Sequence, residues 1–298
     1  MKKIGLIFAV LIAGVSVWLF MPETVPTGER RSDGLYFGKM STEKMRLAFK
    51  AQNYAMVDTL ENNKPVPRIF VAAVPDDFNR SKYDEERPAL FTEMLTPVIF
   101  KANEAVLRER AAIEELKKKF DGKQPFSVED LALLEKTAEK YDVDFDTEDF
   151  STFFAALLAK IDAVPPSLLL AMAAEDSGFA TDRYAREYNS IFLRRDWNGN
   201  GVVPDAAVLE GDTYRIRTYA TLYDAVYDQI LWLNSLKRFM NFHAARASFR
   251  FSGNDLYGAD LTKFFRLFPY RDFKYPDVLK HLIKQYGWTA LDSAALSN

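Results

Sequence analysis

The chain has 298 residues, enough for one sizeable domain with accessories, and its 39 Lys and Arg stand against 42 Asp and Glu for a net charge of −3. Acids and bases are interspersed, which leaves no basic face for nucleic acid. The absence of cysteine excludes disulfides, thiol catalysis and thiolate metal sites, and His243 and His281 are too few for a multi-histidine centre.

Behind Met1-Lys2-Lys3, Ile4 to Met21 is an uncharged apolar run of 18 residues, near the minimum of roughly 17–20 for crossing a bilayer. It reads as an N-terminal anchor over residues 1–21, lysines on the cytoplasmic side and the remainder outside. Gly14 and Ser16 keep a cleaved signal peptide open as the alternative. Residues 22–65 read as a linker with some order: Pro22, Pro26 and Gly28 suggest a tether, Thr42 to Leu60 a short helix, and Asn62, Asn63, Pro65 and Pro67 its end. A helical N-terminal extension follows over 66–160. Pro67 to Phe70 is a short extended piece. Arg87 to Phe120 carries apolar residues at three- and four-residue spacing, and Pro97 is expected to kink or interrupt that helix. Ser127 and Asp130 form a capping-box pattern. Asp142 to Asp149 is an acidic run without the glycine turn of a calcium loop, and a solvated loop is the preferred reading. Phe150 to Ile161 is helical.

Val164 to Trp197 is the stretch with the most chemistry. Pro165 and Pro166 suit a first helical turn, Leu168 to Ala174 has high helix propensity, and Gly178 suits a left-handed C-terminal cap. Glu175 and Asp176 then fall in the last turn, where the helix dipole disfavours negative charge. At about 100° per residue, Asp176 lies about 30° from the apolar face marked by Leu168, Leu169 and Met172, and Glu175 about 70°. Asp176 should therefore face packed structure and Glu175 solvent or a cleft edge. Further on, Asp196 to Gly201 begins like a calcium loop, but Ala207 stands where the bidentate acid belongs, so an Asn-Gly turn is preferred. Thr213 to Arg217 alternates like a strand and predicts a small β-hairpin over 202–218. Helices are expected over 223–239, 242–251, 255–268 and 275–286, with a frayed tail after Trp288.

From Val164 to Arg186 the residues follow V-P-P-S-L-x-L-x-x-A-A-x-[acid]-S-[G/A]-[aromatic]-x-T-x-x-[Y/F]-A-R. Asn189 to Phe192 then reads N-x-x-F, Gly201 to Pro204 reads G-x-V-P, and Ile216 to Thr221 resembles [F/V]-R-x-[F/Y]-x-S with Ile in the first place and Thr in the last. In this order and spacing the motifs resemble the Bax-like branch of the bacterial glucosaminidase family. The likeness covers about residues 66–285, with the glucosaminidase-like part at 161–288.

The resemblance implies a mainly α fold: a lysozyme-like helical domain with a small β-hairpin lobe. It implies hydrolysis of β-linked N-acetylglucosamine in peptidoglycan without a cofactor or metal. The expected partners are glycan strands and, through residues 4–21, the inner membrane, with the protein facing the periplasm or released into it if the segment is cleaved. The role of the family's catalytic Glu falls on Asp176, with Glu175 one residue off register. Asn189, Phe192, Tyr219 and Phe179 match substrate-binding positions. The second acid is sought among Asp205, Glu210 and Asp212. The family's Trp is Phe179 here, and two of its glycines are Ala180 and Leu193. Asp is shorter than Glu by about 1.5 Å of reach. Three outcomes stay open: a site closed in around Asp176, a role taken by Glu175, or glycan binding without cleavage.

Overall fold

The computed structural model describes residues 24–205 and 214–298. The expected anchor at 4–21 and the candidate acids Glu210 and Asp212 lie outside the described residues. Among those described, no helix is long and apolar enough to cross a membrane.

The described chain is mainly helical with two small sheets. Strands β1 (Glu29–Arg31) and β2 (Gly34–Phe37) form an antiparallel pair, and β3 (Ile69–Val71) joins β2 in parallel. Between them lie α1 (Thr42–Ala51) and α2 (Met56–Asn62). The segment expected as a linker thus supplies two strands and two helices, and Leu35, Phe37, Met45 and Phe49 are buried in the core. Next come α3 (Arg87–Asp121), α4 (Val128–Lys140), α5 (Phe150–Lys160) and α6 (Pro166–Ser177). The Ser127 capping box forms with both reciprocal hydrogen bonds. α7 (Arg183–Tyr188) leads to β4 (Arg195–Asp196), which pairs with β5 (Arg215–Ile216). The chain ends with α8 (Leu222–Ser235), α9 (Met240–Ser252), α10 (Gly258–Leu261) and α11 (Tyr275–Gln285).

α3 runs through Pro97 without interruption. Proline removes the amide that would bond the Glu93 carbonyl. That carbonyl instead accepts the Tyr54 hydroxyl at 3.0 Å. The tail is also not frayed. Trp288 and Leu291 are buried, Trp288 Nε1 donates to Thr92 Oγ1 at 3.0 Å, and Leu296 bridges to Val66.

α6 is the axis of the molecule. It packs against α3, α10 and α11, and every residue from Pro166 to Ala174 is buried. A helix apolar on all sides must lie in a core, so α6 has more than the single buried face marked by Leu168, Leu169 and Met172. Its start then lies where water cannot satisfy the backbone. At the start, Asn103 accepts from the Val164 amide and donates to its carbonyl. Arg110 donates to the carbonyls of Leu158 and Ile161. Arg246, with no exposed surface, donates to those of Lys160, Asp162 and Ala163. Asn234 also donates to the Asp162 carbonyl, and Arg250 forks onto the Asp162 carboxylate. One turn on, the Asp292 carboxylate accepts from the Ser167 amide, the Ser167 hydroxyl and the Gly258 amide. Gly258 sits so close that an added Cβ would lie 2.3 Å from Ser167 Oγ and 2.9 Å from the Leu168 nitrogen.

Leaving a buried backbone acceptor unpaired costs about 1–3 kcal/mol. Arg246→Met, which keeps much of the volume and removes the donors, is expected to lower unfolding free energy by about 3 kcal/mol or more in urea titrations. Arg250→Met, at a half-exposed side chain, should cost clearly less. Equal costs would mean that the carbonyls of the turn are not what holds it.

Candidate active site

The C-terminal end of α6 stops as its sequence requires. Gly178 takes φ +57°, the left-handed region, and the Phe179 amide closes onto the Ala174 carbonyl at 3.0 Å. Ser177 donates to the Ala173 carbonyl at 2.6 Å and accepts from the Ala180 amide at 2.8 Å. Two consecutive acids are thereby aimed apart. Glu175 is exposed, and the Asp176 carboxyl turns inward to line a groove of about 690 Å³.

Only 1 % of the Asp176 side chain is exposed. Its Oδ1 accepts Arg271 Nη2 at 2.6 Å and the Tyr275 hydroxyl at 3.2 Å. Among the described residues none donates to Oδ2. Burial raises the carboxyl from 3.8 to about 7, against the Arg271 charge and the Tyr275 hydrogen bond, with the Glu175 charge adding to the rise. Desolvation wins because the one cation beside it is itself part-exposed and holds a single oxygen. The result is a carboxyl group that can carry a proton near neutrality.

The groove walls come from every later element. Asp182 and Tyr184 stand on one side, Phe192 to Arg195 and Trp197 along β4, and Pro204, Asp205, Tyr214 and Ile216 in the hairpin. Gln229, Trp232 and Leu236 of α8 form another wall, and the loop Phe268 to Arg271 closes it beside Arg238. Aromatic surface is continuous at one end. The Trp197 ring lies 6.1 Å from Tyr214 and 5.6 Å from Tyr270, and half of Trp197 is exposed. Gln229 is fully buried, and its Oε1 has no hydrogen-bond partner.

Of the residues expected at the site, Asp176, Phe192 and Asp205 line this groove. Asp205 is exposed and forked by Arg183 at 2.6 and 2.9 Å. Asn189 is buried and supports backbone. It accepts from the Val74 amide and donates to the carbonyls of Tyr219 and Ala220. Tyr219 is outside the lining and donates to Asp228 at 2.7 Å. Phe179 turns away into a cluster with Phe91, Tyr286 and Trp288. Asp196 accepts from the amides of Asn198 and Asn200 and pairs with Arg217 at 3.3 Å, which makes it the organiser of a turn. His243 is buried against the Leu233 carbonyl.

The sequence reading missed Arg194, Arg195, Trp197, Trp232, Arg238, Tyr270 and Arg271. The signal available was basic and aromatic residues interleaved in Arg194-Arg195-Asp196-Trp197 and in Tyr270-Arg271. The two glycine departures do sit in strained backbone: Ala180 has φ +61° and Leu193 has φ +46°. Such a conformation costs an L-residue about 1–2 kcal/mol, and of the two Leu193 lines the groove.

No protein-family model matches the chain, and no solved structure matches it. Over 164 residues it is 24% identical to the protein called Protein bax of Escherichia coli (strain K12), a stretch covering 55% of this chain and 57% of that protein. The chain thus spans little more than half the length of this curated relative, and the similarity supports a distant Bax-like relationship.

Asp176 keeps its proton to about pH 7 in the fold and releases it near 3.8 when unfolded. The folded state therefore binds more protons between these values, and this group's contribution to stability falls as pH rises through the window. Asp176→Asn should gain on the wild type from pH 4 to pH 7, by up to about 4 kcal/mol at the plateau. Urea midpoints across pH measure the gap, and a gap that stays flat would mean an ordinary solvated carboxylate.

Proposed function

We propose that this chain hydrolyses β-linked N-acetylglucosamine in peptidoglycan, with Asp176 as the general acid of a lysozyme-like helical domain. The observation that carries the reading is a carboxyl group held near neutral titration on the wall of a long open groove. Glycoside hydrolysis needs such an acid to protonate the leaving oxygen, and usually a second carboxylate for the water or the sugar cation. Exposed aromatic side chains at Trp197 and Tyr270 suit sugar rings.

In this reading Asp176 Oδ1 stays on Arg271 and Tyr275 while Oδ2 carries the proton into the groove. Asp205 lines the same groove and is one candidate for the second role, with Glu210 and Asp212 as the others. The exposed position of Glu175, outside the lining, argues for Asp176 as the acid. Residues 4–21 would anchor the domain at the inner membrane facing the periplasm, an assignment that rests on the length and flanks of that run.

A second reading has its own support: a catalytically inactive glycan-binding or scaffold protein on the same fold. Asp176 is short for the position, and Arg271 already holds one of its oxygens. Asp205 is likewise held by Arg183.

A zymogram on cell-wall substrate separates the two. The hydrolase reading expects clearing by the wild type and a loss of about 10²–10⁴-fold in Asp176→Asn, the usual worth of a general acid. Activity should fall above about pH 7 as the carboxyl ionises. Arg271→Met, which removes the opposing cation, should move that alkaline limb upward. No clearing by the wild type, with retained sedimentation on peptidoglycan, would establish the binding protein. Clearing that survives Asp176→Asn and disappears in Glu175→Gln would transfer the role to Glu175.

A further inference from the structure

The groove contains more positive charge than its own acids use. Asp176 is paired with Arg271, and Asp205 with Arg183. Asp182 accepts the Tyr184 amide at the start of α7. Arg194, Arg195 and the exposed Arg238 remain; Arg194 and Arg195 are adjacent in β4 and its approach, and among the described residues neither side chain makes a hydrogen bond.

Arg194 is nine-tenths buried, with its guanidinium 4.0 Å from the Trp232 ring centre. Its Nη1 is buried without a hydrogen-bond partner. The nearest anion, Asp228 Oδ2, is 3.9 Å away and is already engaged by the Tyr219 hydroxyl at 2.7 Å, while Asp228 Oδ1 is engaged by Arg217 at 2.8 Å. A buried guanidinium with idle donors is costly, and burial pushes Arg194 down to about 10. Arg195 is clamped between two rings, its guanidinium 4.1 Å from the Tyr214 centre and 3.7 Å from that of Tyr270. Ring contacts of this kind take no N–H, so its donors have no hydrogen-bond acceptor among the described residues. A guanidinium fork matches a planar carboxylate, which it can hold through two parallel hydrogen bonds.

We propose that Arg194 and Arg195 form a carboxylate subsite in the groove, so that the preferred substrate is a glycan strand bearing a carboxylate group beside the bound sugars. This deepens the glycan reading above and rests on it. Two sources carry the chemistry: the lactyl carboxylate of a strand stripped of peptide, and the carboxylates of a stem peptide still attached.

The test measures binding to the full chain by tryptophan fluorescence, with three probes of equal sugar length: a neutral N-acetylglucosamine oligosaccharide, a peptide-free peptidoglycan oligosaccharide, and its peptide-bearing counterpart. Wild type is expected to bind at least one carboxylated probe tenfold to a hundredfold tighter than the neutral one, the range of a charge-assisted hydrogen bond. The gap should narrow as salt is raised. Preference for the peptide-free probe assigns the lactyl group, and preference for the peptide-bearing probe assigns the stem. Arg195→Gln should shrink the gap by about tenfold, and Arg195→Lys, which keeps charge without the fork, should restore part of it. Equal wild-type affinity for neutral and carboxylated probes overturns the subsite and leaves the glycan reading standing. A preference that survives both Arg194→Gln and Arg195→Gln also overturns it. If no probe binds, the glycan reading falls and the subsite with it. The wild-type comparison decides the matter alone should a variant fail to fold.

Discussion

The buried turn of residues 160–164 is the constraint from which the rest of the architecture follows. α6 is covered on all sides, so the chain must enter it through irregular backbone inside the protein. Irregular backbone in a core needs side-chain donors for its carbonyls. Arg246, Arg110, Asn103 and Asn234 supply them from three other helices, α9, α3 and α8. Placing Arg246 there has its own cost, since burial lowers the guanidinium to about 10 and leaves its Nε without a partner. That cost is tolerable because removing the cation would take the side-chain donor from the Lys160 and Ala163 carbonyls and leave that of Asp162 to Asn234 alone. The same clamps fix the far end of α6 with little freedom, and that end carries Asp176.

How far the sequence announced this depends on the range of each interaction. Ser127 and Asp130, Gly178, and the divergence of Glu175 from Asp176 were legible because each is decided within one or two helical turns. The long helix over Arg87 was legible from its spacing, but the fate of Pro97 was not, since it turned on a hydroxyl from Tyr54, far away in the chain. The strands at Glu29–Arg31 and Gly34–Phe37 were read as tether because their third partner, Ile69–Val71, lies beyond two intervening helices. Within the groove, Asp176 and Phe192 were reachable from motif positions and Asp205 as one of three acids in the hairpin region, whereas Arg271 and Tyr270 come from a loop almost a hundred residues later that no local pattern ties to α6. Asn189 shows the opposite error. Its polar side chain at a motif position looked like a ligand contact, and its actual work is to hold three backbone groups.

Electrostatics in the groove is a balance between burial and a few fixed cations. Burial works against the charge of both Asp176 and Arg194, yet the two differ in how they are compensated. Asp176 has a cation and a phenol on one oxygen, which restrains its pKa without restoring the ordinary value. Arg194 has a ring face at 4.0 Å and a shared carboxylate at 3.9 Å, neither of which takes an N–H. A cation–π contact supplies about 0.5–2 kcal/mol and leaves the in-plane donors idle. One wall of the groove therefore favours keeping a proton on its carboxyl group, and the other favours receiving an acceptor.

The remaining question is whether an aspartate can do at this position what a longer acid would do. A misplacement of about 1 Å can cost roughly a hundredfold in rate, and the missing methylene exceeds that. Compensation has to come from the walls, because α6 is held too tightly to advance. The wall with room to adjust is the loop Phe268 to Arg271, which already reaches across to touch Asp176 and to cover Arg195. Its Tyr270 has φ +63° and is more than half exposed, so the loop is held in a conformation that its own sequence does not favour. Leu193, also in left-handed backbone, lines the same groove. Left-handed backbone therefore stands on two walls of the groove that the short carboxyl group lines.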